Sequence, residues 1–163
     1  MTQKIYSLIP KIMAEIKPVP KAQRNEQQNY RFRGIDQLYA EIQPALVKHG
    51  VFCVPQVQKV ETSELETTDK NGKPKPAFRV LLTIAHKFYA DDGSFIEVIT
   101  VGEGIDRSDK ASNKAMSAAM KYAFIELLSI PTEDVEDSDR TSPKTGRAKH
   151  AITNVTQVGG DFL

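Results

Sequence analysis

Between Gly102 and Tyr122 the chain reads GEGIDRSDKASNKAMSAAMKY. A short glycine-bracketed acidic turn is expected to feed a helix there. At about 100° per residue, Lys110, Lys114, Ser117 and Lys121 fall within about 60° of one another on such a helix. Asn113 lies just beside them, and Ala111, Ala115, Met116, Ala118 and Ala119 fill the remaining surface. A narrow cationic stripe on an otherwise small, apolar helix suits an element that packs behind and meets phosphates in front. The same lysines on a solvated face would serve only solubility, and the stretch alone leaves both readings open.

The segments around this helix set the fold class. Ile5, Leu8, Ile9, Ile12, Met13 and Ile16 keep helical spacing, so a first helix is expected to about Lys17, with Pro10 marking a kink or a late start. Pro18-Val19-Pro20 stops it. A second helix carries Ile35, Leu38, Tyr39, Ile42, Leu46 and Val47 and closes at Gly50, with Pro44 a point of division.

Three strands are expected next: Val51 to Val60, Phe78 to Tyr89 and Phe95 to Val101. A polar connection, Glu61 to Pro76, contains the turn signal Asn71-Gly72, and Asp91-Asp92-Gly93-Ser94 makes a tight turn. The lysine-striped helix then spans roughly Ser108 to Leu128. Helix, helix, three-strand meander, helix is an α+β domain, placed at residues 1–139. Residues 140–163 are polar, with almost no hydrophobes before Ile152, and are expected to be a disordered tail.

A length of 163 residues suits one main domain. The net charge of +1 hides local asymmetry, with basic residues in excess before Gly50 and none from Glu126 to Asp139. Such separation presents a basic face to a polyanion although the total is near neutral. The single cysteine, Cys53, excludes an internal disulfide and sits in the apolar run Val51-Phe52-Cys53-Val54, where a small buried hydrophobe is expected. No apolar stretch approaches the ~20 residues of a membrane span. Lys4, Lys11, Glu15 and Lys17 interrupt any secretory leader, so a cytoplasmic protein is expected.

Several site chemistries lack their residues. There is no phosphate-cradling G-x-x-x-x-G-K-[ST] loop, and Gly102-Glu103-Gly104 lacks the third glycine of a dinucleotide fingerprint. His49, His86 and His150 do not pair with Cys53 at zinc-ligand spacing. Glu103, Asp106 and Asp109 could together hold Mg²⁺ in a metal-dependent nuclease. Capping is the simpler role, with Asp106 or Ser108 at the helix start and Asp109 in its first turn. Tyr30-Arg31-Phe32-Arg33 interleaves rings that stack on bases with guanidinium groups that grip phosphate, the combination single-strand binders use. Its rings would equally serve a core and its arginines an ordinary surface.

Three stretches together resemble the phage essential recombination function (ERF) family of single-strand annealing proteins. They are Tyr30-Arg31-Phe32-Arg33-Gly34-Ile35-Asp36 with Leu46-Val47-Lys48-His49-Gly50-Val51; Tyr89-Ala90-Asp91-Asp92-Gly93-Ser94; and Gly102-Glu103-Gly104-Ile105-Asp106 through Lys114-Ala115 and Lys121-Tyr122 to Pro131-Thr132-Glu133-Asp134. The resemblance implies a β-β-β-α core, binding of single-stranded DNA, ATP-independent annealing in homologous recombination, and a homo-oligomer, as a ring or helical filament. It places DNA contact at Tyr30, Arg31, Phe32 and Arg33 and along Lys110, Asn113, Lys114, Ser117 and Lys121. No catalytic residue, metal or cofactor is expected. A single-strand-binding protein or another recombination protein is a candidate partner for the tail, whose end Gly159-Gly160-Asp161-Phe162-Leu163 sets two hydrophobes beside an acid. Two alternatives stand beside this reading: the nuclease, and an oligomeric scaffold whose charged stripe contacts protein without a DNA role.

Overall fold

The computed structural model describes residues 3–19, 23–25, 30–32, 34–69, 71–130 and 154–157, with 23–25, 30–32 and 154–157 as backbone alone. Helix α1 is Lys4–Glu15 and buries Ile5, Leu8, Ile9 and Ile12, the face set by its sequence period. Pro10 lies inside this helix on its exposed side. Residues Gln23–Asn25 (β1) and Tyr30–Phe32 (β2) pair antiparallel as a small separate sheet. Helix α2, Ile35–Lys48, runs through Pro44 undivided and buries Leu38, Ile42, Ala45 and Leu46. Val47, expected on the core face, is exposed. The side chain of Gln37 accepts from the Gly34 N–H at 3.1 Å, closing the helix start.

The meander is longer than its hydrophobic runs suggested. Strand β3 covers Phe52–Thr68, β4 Pro74–Tyr89 and β5 Phe95–Asp106. The expected polar connection is therefore mostly strand, and the chain reverses between Thr68 and Pro74. Along the far arm of β3 exposed Thr62, Glu64 and Glu66 alternate with half-buried Ser63, Leu65 and Thr67. That is a period of two written in polar residues, which a search for apolar alternation passes over. The turn itself is where Asn71-Gly72 put it, with Gly72 at φ 78° and Asp69 accepting from the N–H groups of Asn71 and Lys73. β3 pairs with β4 and β4 with β5, all antiparallel, with one register shift between Val57 and Lys59.

Helix α3 is Ala111–Leu127. The architecture is α+β, with the three-strand meander followed by a helix and preceded by helices. A short fourth strand, β6 (Asn154–Gln157), pairs antiparallel with Lys59–Thr62 of β3, giving the order β5-β4-β3-β6. These four residues fall in the stretch read as a disordered tail, and they are a strand. Their backbone pairs with β3 across the sheet edge, which composition does not signal. The other residues of 140–163 lie outside the described residues.

Among the described residues two clusters make the core. One gathers α1, α2, Phe88 and the end of α3 around Phe124, Leu128 and Ile130. The other sets Val80, Leu82 and Ile84 of β4 against Ala111, Ala115 and Ala119 of α3. The turn after β4 locks α1 in place, because Asp92 accepts from the Lys4 N–H and Ser94 Oγ from the Ile5 N–H, at 3.2 and 3.1 Å. A helix with no side-chain cap of its own thus has two start donors satisfied by a distant turn. Cys53 is half-buried and packs against the first cluster, and burial pushes its thiol up to about 11, far from a working nucleophile.

His86 lies on the helix-facing side of β4, between Ile84 of one cluster and Phe88 of the other. It is 1% exposed, and neither ring nitrogen has a hydrogen-bond partner among the described residues. Burial lowers its pKa from the ordinary 6.5, because an imidazolium there would be desolvated and unpaired. The unfolded chain then binds the proton more readily, so stability is full above pH 6.5 and declines as pH falls below it. Urea midpoints should drop between pH 7 and 5, before the carboxylates titrate. His86→Leu should flatten that decline, and an equal decline in the variant would place its origin elsewhere.

Candidate nucleic-acid interface

The seat of α3 is built by two glycines. The GEGID segment, expected as a turn, is the last stretch of β5, where Gly102 and Gly104 point at the helix. A Cβ on Gly104 would meet the Ala111 carbonyl oxygen at 2.0 Å, and one on Gly102 the Ala115 carbonyl oxygen at 2.0 Å. Glycine at both positions lets helix and strand backbones touch, and alanine at 111, 115 and 119 completes the fit. The Thr100 hydroxyl, buried on the same side, donates to the Ala119 carbonyl at 2.9 Å. A glycine pair spaced by two reads as a turn until an alanine row spaced by four is placed opposite it.

This packing turns the lysine side of α3 toward the outer edge of β5. A groove of about 850 Å³ opens there, lined by Val101 and Glu103 from the strand and by Lys110, Asn113, Lys114, Ser117, Ala118, Lys121 and Tyr122 from the helix. All five stripe residues named from the helical period thus line one groove. Tyr122, 54% exposed, is a wall that the period did not single out, although it directly follows Lys121. Its ring offers an apolar face with a polar tip, the type of surface on which bases stack.

The three lysines differ. Lys110 is exposed and makes no ion pair among the described residues. Lys114 is anchored, its Nζ donating to the Ile105 carbonyl at 2.9 Å and pairing with Asp106. Lys121 is half-buried, and burial lowers its pKa. Neither expected cap reaches α3, which starts at Ala111 without a side-chain cap. Asp106 instead accepts from Lys114 and from the N–H and hydroxyl of Ser108, at 2.9 and 2.8 Å to the latter two. Those bonds hold its carboxyl well below the usual carboxylate range, the Lys114 contact contributing most.

Of the carboxylates named for a metal, Glu103 and Asp106 are separated by strand alternation, and Asp109 lies beyond the end of β5. Glu103 faces the side of β5 away from Asp106 and pairs with Arg79 at 2.6 Å. Among the described residues no three histidine, cysteine or acidic side chains are placed to hold a metal ion. Of the YRFR segment, Tyr30–Phe32 have their backbone in β2, outside the four-stranded sheet. The side chains of Tyr30, Arg31 and Phe32, and the whole of Arg33, lie outside the described residues. Among the described residues no helix is long and apolar enough to cross a membrane.

No curated protein matches the chain. The family model of the ERF superfamily matches residues 5–160, nearly the whole chain, including β6 as well as the groove. On that match, which joins the meander, the glycine-seated helix and the cationic groove in one unit, the chain belongs to the ERF superfamily and has a role of the recombination and annealing kind.

Proposed function

We propose that the protein binds single-stranded DNA along the groove between α3 and β5 and promotes annealing of complementary strands without nucleotide hydrolysis. On this reading it is a binding protein and breaks no covalent bond. The observation that carries the proposal is the collection of Lys110, Lys114 and Lys121 with Asn113, Ser117 and Tyr122 along one open groove. Annealing requires backbone phosphates to be held while base edges stay free for a partner strand. Lysine suits this because it is a point charge that grips phosphate without reading sequence. The side-chain amide and hydroxyl add short polar contacts, and Tyr122 supplies a stacking face indifferent to base identity.

A single groove gives a modest local field. Repetition in a homo-oligomer, ring or helical filament, multiplies it, since each bound segment raises the effective concentration of the next. The working compartment is the cytoplasm, and the DNA is exposed during recombination of a phage or its host. Complementary oligonucleotides carrying a fluorophore and a quencher test the reading. Quenching should accelerate with protein at equal rates with ATP, without it, and with a chelator present. A requirement for ATP, or shortening of labelled strands when Mg²⁺ is added, would contradict it.

A further inference from the structure

The groove between α3 and β5 has two unlike walls. The helix wall carries the three lysines with Asn113 and Ser117, whereas the strand wall is Val101 and Glu103. Among the described residues that line the groove, Glu103 is the only acid. A surface built solely to collect phosphate has no use for a carboxylate, because like charges brought together oppose binding.

Strand alternation gives this acid its place. Gly102 and Gly104 sit under α3, so Val101 and Glu103 emerge on the other face of β5, at the lip of the groove. On that same face Ile99, Val101 and Ile105 are 54%, 53% and 45% exposed. From Ile99 to Ile105 the lip is therefore an apolar row broken by one carboxylate.

Arg79 holds the carboxylate from β4, its Nε donating to one oxygen at 2.6 Å. The Glu103 side chain stays 46% exposed, so the pair does not withdraw its charge from the groove. Lys114 lies across from it, its Cβ 2.9 Å from where a Cβ on Gly104 would stand. That lysine is already tied to Asp106 and to the Ile105 carbonyl, so it attracts phosphate less than Lys110 does. At this level Glu103 decides on which wall a phosphate rests.

We propose that Glu103 is a positioning residue that repels phosphate from the strand lip and keeps the DNA backbone on the lysine wall. The apolar row is thereby left to the bases. A base has an apolar face and polar edges, so faces set against Val101 leave the edges to a complementary strand. Arg79 fixes the carboxylate from behind without cancelling its repulsion. The inference rests on the groove being the DNA site. An ion pair that only fastens β5 to β4 would act differently: Glu103→Gln and Arg79→Gln would lose the same stability, and neither would separate affinity from annealing rate.

Anisotropy and annealing of one labelled oligonucleotide, read together on the full chain, test it. A unit charge about 4 Å from a phosphate changes affinity about fivefold in water. Glu103→Gln should therefore bind about fivefold tighter, and Glu103→Lys tighter still. Annealing should move the other way. Each variant is saturated with strand at the salt concentration that matches its affinity to wild type's, and its rate is divided by the protein-free rate at that salt. Tight binding alone then slows nothing. A bias of about fivefold per charge keeps about five phosphates in six on the lysine wall in wild type and about one in six in Glu103→Lys. The matched rate should accordingly fall about fivefold in Glu103→Lys and by about 40% in Glu103→Gln. Arg79→Gln, which bares the carboxylate, should bind more weakly and anneal at the wild-type matched rate. A folded Glu103→Lys that anneals at the wild-type matched rate, or binds more weakly than wild type, overturns the proposal. If circular dichroism shows that variant unfolded, Glu103→Gln, which keeps the side chain's size, decides by the same comparison. Wild type that binds no strand would end the DNA reading and this inference with it, whereas wild type that binds and anneals beside an unaltered Glu103→Lys ends the inference alone.

Discussion

Gly104→Ala should lower the unfolding free energy by about 3 kcal/mol, the upper end of what overpacking costs. The added methyl would sit 2.0 Å from the Ala111 carbonyl oxygen and 2.7 Å from the Ala115 nitrogen. Both are backbone atoms of a helix, so no change of rotamer clears them. The helix must retreat from the strand, and retreat opens the contact of Ala111, Ala115 and Ala119 with Val80, Leu82 and Ile84. Alanine in a strand is otherwise better than glycine by roughly 0.5–1 kcal/mol, so the sign itself tests the close approach. Urea denaturation should show the midpoint falling by about 1–3 M at slopes of ~1–3 kcal/mol per M. A midpoint at or above wild type would mean that α3 does not rest on Gly104. The lysine stripe depends on the same seat, so the variant should also lose DNA affinity at temperatures where it stays folded.

The parts of this arrangement that were legible in the sequence are those written in hydrophobic period. Ile5, Leu8, Ile9 and Ile12 announce α1, and the alternation of Phe95 to Val101 announces most of β5. The lysine stripe was legible because helical spacing alone brings residues 110, 114, 117 and 121 together. What decides where that stripe points was not. Gly102 and Gly104 carry no side chain to pattern, and they seat α3 only because alanines 7 to 17 positions later, Ala111 and Ala119 among them, come back over them. The far arm of β3 was read as loop because Glu61, Glu64 and Glu66 are polar, and its strand character comes from pairing with β4. β6 is the extreme case, four residues held by backbone hydrogen bonds to β3 across almost a hundred positions. Lys114 looked like its two neighbours on the stripe, and only the fold shows it tied to Asp106.

Replacing Lys110, Lys114 and Lys121 together with alanine should cost about 100-fold in single-strand affinity at 0.1 M salt. The size follows from counterion release, in which each phosphate contact on a single strand contributes ~0.7 to the slope of log K against log salt. Three lost contacts remove roughly two units of slope, and two units at 0.1 M are two powers of ten. Lys114 already has Asp106 as a counter-charge, so Lys110 and Lys121 should account for most of the loss, and the drop in slope should lie between about 1.4 and 2.1. Alanine has the highest helix propensity, and none of the three side chains belongs to the core clusters, so the fold should survive. The measurement is fluorescence anisotropy of a labelled oligonucleotide, titrated with wild type and with the triple variant from 0.05 to about 0.3 M salt, a range over which such contacts change affinity by orders of magnitude. DNA held in the α3–β5 groove requires the variant's log–log line to be shallower by one and a half to two units, at about 0.7 per contact. Parallel lines from a folded triple variant would contradict it and put the DNA elsewhere on the protein.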